Sequence, residues 1–108
     1  MYFVYVLRCR GSSLYCGSTN DVQKRIAAHL GTDGKGAKYT RSRKPERVEA
    51  VWATESKGAA LKLEYHFKKL KKDSKEKLIR SEIMLEELFS DRLETQLYTR
   101  SSEYEREL

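Results

Sequence analysis

The chain has 108 residues, of which 39% are hydrophobic and 35% are charged, and its formal net charge at pH 7 is +6. This length and composition are typical of one globular domain with a modest core, and no apolar run approaches the roughly 20 residues that a membrane-spanning helix needs. The first residues, MYFVYVLRCR, show neither the charged start nor the cleavage site of a signal peptide, which predicts a cytoplasmic protein.

The charge is distributed unevenly along the chain. Residues 1–80 hold 19 Lys and Arg against 8 Asp and Glu, a net charge of +11, whereas residues 81–108 hold 3 against 8, a net charge of −5. A positive field over the first 80 residues attracts polyanions such as nucleic acid, although charge alone also fits a solvated lysine-rich surface. Cys9 and Cys16 have no metal-ligand spacing with the two histidines, and we interpret them as core thiols.

The N-terminal segment predicts a β-hairpin. Residues 2–8, YFVYVLR, are β-branched and aromatic, the turn residues RGSS follow, and LYCGS resumes an extended chain. With residues 11–13 as the loop, Tyr5 faces Thr19 and lies on the same face of the strand pair as Tyr15.

A first helix is predicted over residues 21–30. Asn20 can cap its free N–H groups, Gln23 completes a capping box, and Gly31 ends it. The face predicted to pack on the sheet carries three aliphatic residues, Val22, Ile26 and Leu30.

The middle of the chain predicts a loop, a strand and a second helix. Residues 31–45 are rich in glycine and cations and have no apolar period, which favours a surface loop. Residues 46–54, ERVEAVWAT, alternate as a third strand does, and a second helix is predicted from Ser56 to about Leu70.

The remaining chain predicts two further helices. Asp73 and Glu76 have capping-box spacing and indicate a short helix over residues 74–80. From Ser81 onward the acidic tail places apolar residues at helical spacing, which favours an added helix with one buried stripe: Leu85, Leu88 or Phe89, Leu93 and Leu97.

Three polar residues stand on or beside apolar helix faces. Arg25 and His29 lie one turn apart at the edge of the first helix's apolar face, where an Arg25 pair with Asp21 and a satisfied helix-end histidine remain the alternatives. Glu64 lies inside the second helix's apolar stripe of Ala60, Leu63, Phe67 and Leu70. An unpaired buried carboxylate costs several kcal/mol, so Glu64 is protonated, exposed, paired with a residue such as Lys68, or holding a cation.

Over about residues 2–80 the sequence resembles a GIY-YIG nuclease domain, and most closely the small stand-alone bacterial group of that superfamily. Phe3 stands where the first motif has its glycine. The matching elements, in chain order, are FVY at Phe3–Tyr5, YCG at Tyr15–Gly17, the R-x-x-x-H helix with Arg25 and His29, GAKYTR at Gly36–Arg41, and the late metal-ligand glutamate at Glu64.

The resemblance implies an α+β fold in which helices flank a small three-stranded antiparallel sheet. In this interpretation residues 1–80 form the nuclease-like domain, and residues 81–108 add a helical extension that packs on it or serves an interaction. The two tyrosines, the arginine and the glutamate would meet on one face of the sheet.

The resemblance also implies a divalent-metal-dependent endonuclease acting on DNA rather than RNA. Glu64 would hold Mg²⁺ or Mn²⁺, Tyr15 would accept the proton of the attacking water, and Arg25 would bind the scissile phosphate. Tyr5 and His29 would orient water and phosphate. The predicted nucleic-acid contacts are one glycine and seven basic or aromatic residues: Gly17, Lys24, Lys38, Tyr39, Arg41, Arg43, Lys68 and Lys72.

Two other functions fit the same sequence. One is a nucleic-acid-binding module that keeps the fold without turnover and uses the basic residues alone. The other is an adaptor whose acidic tail, residues 81–108, docks a protein partner or a second copy of the chain through its leucine stripe.

Overall fold

The structure, a computed structural model, describes residues 1–31 and 37–108. The glycine-rich part of the predicted loop, residues 32–36, lies outside the described residues. The strands are β1 (Tyr2–Cys9), β2 (Ser13–Thr19), β3 (Pro45–Thr54), β4 (Thr99–Arg100) and β5 (Arg106–Glu107). The α-helices are α1 (Val22–Leu30), α2 (Lys38–Ser42), α3 (Lys57–Lys68), α4 (Lys72–Ile79) and α5 (Leu85–Phe89), and 3₁₀ turns lie at Thr95–Leu97 and Ser102–Tyr104.

The described strands form one antiparallel sheet in the order β2-β1-β3-β4, and β5 pairs with the opposite end of β3. The antiparallel sheet and its flanking helices are therefore as predicted. The number of strands is not, because the tail adds two short strands to the predicted three.

The hairpin turns one residue earlier than predicted. Its loop is residues 10–12, where Gly11 and Ser12 have φ values of 82° and 65°, and Tyr5 lies opposite Gly17 instead of Thr19. The left-handed backbone of the turn explains why the loop is centred on Gly11, since glycine adopts this conformation without steric cost. The register moves by two residues, which is one full side-chain period, so Tyr5 and Tyr15 still share a face.

Helix α1 ends at Leu30 before Gly31, as predicted, but it begins one residue later and has a different cap and a different buried residue in its last turn. Asp21, not Asn20, is the cap, and its carboxylate accepts a hydrogen bond of 3.1 Å from the Lys24 amide. At the other end His29 is buried, whereas Leu30 is 41% exposed. The last turn of α1 thus directs a histidine toward the sheet.

The sheet is apolar on both faces, and each face has its own helix. Helix α1 packs on the face that carries Tyr5, Leu7 and Val51. Helix α3 packs on the other, where its predicted stripe contacts Val4, Val6, Cys16, Ala50 and Trp52. Leu70 is only partly buried at the end of that stripe. Cys9 and Cys16 are both buried and unpaired, as predicted.

Two further segments differ from prediction. The later part of the predicted loop contains the short helix α2, in which Thr40 is buried. Helix α4 begins at Lys72 without a side-chain cap, so Asp73 lies in its first turn and caps nothing. An acidic residue in a first turn still favours the helix through its dipole, which accounts for Asp73 without a capping box.

The tail is not one helix. Only α5 is α-helical after residue 81, and the chain then passes through turns to β4 and β5. Leu85, Phe89 and Leu93 are buried in the core on the α3 face, and Leu97 is 47% exposed. Most of the leucine stripe predicted to dock a partner is therefore internal to the domain.

Arg100 fastens the tail to the rest of the domain. Its guanidinium lies 5.1 Å from the centre of the Trp52 ring and donates to the carbonyl oxygens of Glu49 and Ile79 and to the Glu105 carboxylate. One planar cation thus joins the tail to β3 and to the end of α4. No helix in the described part of the chain has the length and apolar character that crossing a bilayer requires.

Candidate active site

Tyr5 lies at the centre of the site, on the middle of β1. Its side chain is 1% exposed and crosses over Gly17 of the neighbouring strand. A Cβ atom at Gly17 would lie 2.5 Å from Tyr5 Oη and 3.2 Å from Tyr15 Cε2. Gly17, predicted as a nucleic-acid contact, is buried here, and in the structure its missing side chain makes room for the two phenol rings.

A chain of hydrogen bonds runs from Tyr5 into α1 and α2. Tyr5 Oη lies 2.7 Å from His29 Nε2, and His29 Nδ1 lies 2.7 Å from Thr40 Oγ1. The Thr40 hydroxyl donates in turn to the carbonyl oxygen of Ala37 at 3.0 Å. The imidazole is thus held at both nitrogens between a strand and the short helix α2.

Arg25 joins the two tyrosines. Its guanidinium interacts with the phenol groups of both Tyr5 and Tyr15. Burial works to lower the pKa of Arg25, but these contacts outweigh it and the pKa is raised, so the residue stays cationic. The alternative pair of Arg25 with Asp21 is not among the ion pairs of the described residues, in which the Asp21 carboxylate caps α1.

Burial sets the protonation states of the two innermost groups. Desolvation raises the pKa of Tyr5 well above its ordinary value, against the opposing effect of Arg25. Desolvation, reinforced by the positive charge of Arg25, lowers the pKa of His29 to about 4. Both groups are therefore neutral at pH 7, and among the described residues the charged group that acts on both of them is the Arg25 guanidinium.

Tyr15 and Tyr39 form the open side of the site. Tyr15 is half-buried and its ring stacks on Tyr39 at a centroid distance of 5.8 Å, while His29 meets Tyr15 edge-on at 5.2 Å. Arg43 lies 5.4 Å from the centre of the Tyr39 ring. The open side of the cluster is thus formed by two partly exposed phenols, with Arg25 beside Tyr15 and Arg43 beside Tyr39.

Glu64 approaches from the other side of the sheet, and here the prediction of a single shared face is wrong. Helix α3 covers the face opposite to Tyr5, because alternate residues of β1 and β3 are apolar on both faces and each face needs a helix. The Glu64 carboxylate, with its side chain 19% exposed, accepts a hydrogen bond of 2.7 Å from Lys68. Lys68 also interacts electrostatically with Tyr15. Since β2 is an edge strand, Glu64 and Tyr15 flank that edge from opposite faces.

Glu64 also has the chemistry of a magnesium ligand. Among residues 1–31 and 37–108, no group of three or more His, Cys, Asp or Glu side chains could hold a metal ion. A multidentate protein cage is therefore absent from that part of the chain. One carboxylate with waters and substrate phosphate is a coordination that Mg²⁺ accepts, so the donor at Glu64 fits this ion once Lys68 moves aside.

The other predicted nucleic-acid contacts fall on two sides of the β2 edge. Lys24, Lys38, Arg41 and Arg43 are exposed on α1 and around α2. Lys68 and Lys72 are exposed on α3 and α4, where Lys68 pairs with Glu64 and Lys72 donates to the Ser12 carbonyl. The basic residues thus surround the edge where Tyr15 and Glu64 lie.

Sequence reasoning missed Thr40, the only residue of the described hydrogen-bond chain from Tyr5 that is on α2. Thr40 stands between Tyr39 and Arg41 in GAKYTR, which was assigned as a loop. The available signal was its position between two predicted site residues, Tyr39 and Arg41. Its importance depends on the fold, because only the return of α2 against α1 brings it to His29.

Comparison with known proteins gives consistent matches. The family model of the GIY-YIG catalytic domain matches residues 1–77. A UPF0213 protein of Bacillus licheniformis is 46% identical over 78 residues, which cover 72% of this chain and 78% of that protein. A UPF0213 protein of Clostridium perfringens is 45% identical over 87 residues, covering 81% of this chain and 91% of the relative.

One solved structure is similar as well. The solution NMR structure of a UPF0213 protein from Bacillus halodurans is 46% identical, and the match covers 75% of this chain and 85% of that one with a TM-score of 0.49. The names of these relatives designate a family and state no activity.

Proposed function

The chain belongs to the GIY-YIG catalytic-domain family, and on that premise we propose that it is a divalent-metal-dependent endonuclease that hydrolyses phosphodiester bonds of DNA. The observation that supports this most is the convergence of two phenols, a guanidinium and an imidazole beside a sheet whose flanking helices carry basic residues. Phosphodiester hydrolysis needs an activated water, stabilisation of the charge on the phosphorane and help for the leaving oxygen.

The two phenols have different roles in this proposal. Tyr5 is buried and hydrogen-bonded to His29, so it orients its neighbours and does not act as a base. Tyr15 is half-buried and accepts the proton of the attacking water. Arg25 is the cation that stabilises the phenolate formed as it does so.

Arg25 binds the scissile phosphate. An arginine has five N–H donors in a fixed planar fork, which suffices to hold two phenol oxygens and a phosphate together. Lysine would supply the charge without this geometry. The side chain is already positioned by its contacts with Tyr5 and Tyr15, so it loses little conformational entropy when substrate binds.

Glu64 would hold the Mg²⁺ or Mn²⁺ ion. The ion, when bound, supplies Lewis-acid stabilisation of the charge that develops on the phosphate oxygens. Lys68 then turns from the carboxylate to the nucleic-acid backbone, which places it with Lys24, Lys38, Arg41, Arg43 and Lys72 as a phosphate contact. These residues follow backbone and not bases, so we expect little sequence preference.

A cleavage assay tests the proposal. Supercoiled plasmid, branched DNA and single-stranded RNA are each incubated with the protein and Mg²⁺, Mn²⁺ or EDTA. We expect metal-dependent cleavage of DNA, and losses of about 100-fold or more in Glu64→Gln, Arg25→Lys and Tyr15→Phe.

Three substitutions of the same type serve as controls at exposed positions: Glu103→Gln, Arg92→Lys and Tyr65→Phe. These should cleave as the parent does. Equal cleavage by the site variants and the parent would show that the activity comes from another site or from a contaminant.

The ion pair between Glu64 and Lys68 favours a second candidate, a nucleic-acid-binding module without turnover. If the module neutralises six phosphates, the logarithm of affinity should fall with the logarithm of salt concentration at a slope of about −5, by the rule of about 0.9 per contact. Binding with that slope and no cleavage in any metal would favour the module. A flat response would contradict both candidates.

A further inference from the structure

Thr40 is a buried residue of α2, and its hydroxyl faces the last turn of α1. Two polar neighbours among the described residues lie within hydrogen-bonding distance of this hydroxyl. His29 Nδ1 lies 2.7 Å away, and the carbonyl oxygen of Ala37 lies 3.0 Å away. The imidazole has its second neighbour, Tyr5 Oη, at 2.7 Å from Nε2.

Counting protons leaves one arrangement that satisfies all three contacts. The Ala37 carbonyl can only accept, so the single Thr40 proton points to it. Thr40 Oγ1 must then accept from His29, which places the imidazole proton on Nδ1. Nε2 is left unprotonated and accepts from the Tyr5 hydroxyl.

Arg25 supports the same direction at Tyr5. Arg25 interacts with Tyr5, and its guanidinium can only donate, so this interaction favours the Tyr5 oxygen as an acceptor with the Tyr5 proton directed to His29. In the opposite tautomer, with the proton on Nε2, the Tyr5 oxygen would face two donors, Arg25 and His29. The Tyr5 proton would then no longer have His29 as its acceptor. Burial makes such a loss costly.

We propose that Thr40 is a positioning residue of this site, whose hydroxyl fixes the Nδ1–H tautomer of His29 and thereby the direction of the Tyr5 hydrogen bond. The effect on hydrolysis rests on the proposed nuclease function, whereas the tautomer does not. Thr40 also ties α2 to α1, and so holds Tyr39, its neighbour in sequence, stacked on Tyr15.

Nitrogen NMR of ¹⁵N-histidine-labelled protein at pH 7 tests the tautomer directly. The chain has two histidines, and a His66→Asn variant leaves the His29 signals alone for assignment. We expect His29 Nδ1 to be protonated and Nε2 to be unprotonated. A proton on Nε2 in the wild-type protein would overturn the proposal.

Substitutions then test whether Thr40 is the cause. Thr40→Val keeps the shape and removes the hydroxyl, and we expect it to move His29 to the Nε2–H tautomer or to a mixture. Thr40→Ser keeps the hydroxyl and should restore the wild-type shifts, and Thr99→Val, at an exposed position, should leave them unchanged. If Thr40→Val does not fold, Thr40→Ala repeats the test with a smaller side chain. An unaltered His29 tautomer in the folded variant would overturn the proposal.

Hydrolysis provides the second readout. We expect Thr40→Val to lower kcat by about 10- to 100-fold, as loss of an outer residue that orients a site ligand does, with KM little changed and with rescue by Thr40→Ser. A normal kcat in a variant whose tautomer has changed would overturn the positioning role. A protein that cleaves nothing would contradict the nuclease function, and the NMR result would still decide the tautomer.

Discussion

Gly17 shows how closely the side chains of the site are packed. The ring of Tyr5 occupies the space that any other residue at position 17 would need, and the Tyr5 hydroxyl cannot retreat without losing His29. The glycine therefore reflects close packing within the protein itself.

We predict that Gly17→Ala destabilises the protein by about 1–3 kcal/mol, the usual cost of forcing an atom into a packed core. Gly58→Ala is the matched control. A Cβ there meets nothing within 4 Å and the residue lies in α3, so alanine should stabilise by up to about 1 kcal/mol. Urea unfolding measures both changes, and equal effects at the two glycines would contradict this account.

His29 gives the protein a specific pH dependence. Its pKa is lowered from about 6.5 in the unfolded chain to about 4 by burial and by Arg25. Between these values the unfolded state binds a proton that the folded state does not, so stability is full above pH 6.5 and falls as the pH falls toward 4. The loss is about 3 kcal/mol.

The measurement compares wild type with His29→Gln, in which the side chain does not titrate. Thermal or urea unfolding is followed from pH 7 to pH 4. The difference in free energy of unfolding between the two proteins should shrink over this range, because only the wild type loses the His29 contribution. A constant difference would show that His29 titrates normally.

Sequence could identify the polar residues of the site but not every partner. The resemblance to GIY-YIG domains predicts Tyr5, Tyr15, Arg25 and His29 as one site, and the structure brings these four side chains together. Thr40 was not predicted, because its role depends on the tertiary contact between α1 and α2. Likewise, helical periodicity alone favoured Leu30 over His29 for the sheet face, and only the hydrogen bond to Tyr5 reverses that choice.

At the scale of elements, the N-cap of α1 differs from the one expected from the sequence. Asn20 and Asp21 are both good N-cap residues, and local sequence does not choose between them. In the structure the Asp21 amide donates to Thr19 Oγ1 at 3.1 Å, which sets the turn so that the Asp21 side chain faces the helix.

We therefore predict that Asp21→Ala costs about 1 kcal/mol of stability, the typical value for an N-cap. Asn20→Ala, one residue earlier and exposed, should change stability by less than about 0.5 kcal/mol. Urea unfolding of the two variants decides between the caps. A larger loss in Asn20→Ala would reverse the assignment.

The hairpin and the tail show where sequence patterns fail. In the hairpin the register was wrong by two residues, yet the face of each tyrosine was right, because the side-chain period of a strand is also two. In the tail the spacing of Leu85, Phe89 and Leu93 correctly indicated burial. It could not indicate that the chain after α5 would pair with β3, since two-residue strands carry no recognisable alternation.

At the scale of the molecule, the tail completes the core. Leu85, Phe89 and Leu93 cover Trp52 and Leu78, and Arg100 joins the tail to β3. The family match ends at residue 77, but the hydrophobic core of this chain does not.

We predict that deleting residues 81–108 severely destabilises the protein. Three buried apolar side chains contribute about 1.5–3 kcal/mol each, a sum comparable with the whole stability of a small domain. Circular dichroism and thermal unfolding of the truncated chain measure the effect, with Leu97→Ala, at an exposed position, as a mild control. A truncated chain that unfolds as the full one does would contradict this role of the tail.

The site itself is a property of the whole molecule. Arg25 and Tyr15 belong to the α1 face and Glu64 to the α3 face, and Tyr15 and Glu64 flank the edge strand β2 from opposite sides. Motif spacing identifies such residues one at a time. It does not predict the face that each helix covers, which depends on the apolar residues of both faces.

A double-substitution cycle on DNA cleavage tests most directly whether Arg25 and Glu64 serve one catalytic site. Rates are measured with Mg²⁺ for Arg25→Ala, Glu64→Ala and the combined variant, against the parent. Residues that act as a unit are not additive, so the combined variant should be no slower than the slower single variant. Losses that multiply in the combined variant, or full cleavage by either single variant, would contradict a shared site at the edge of the sheet.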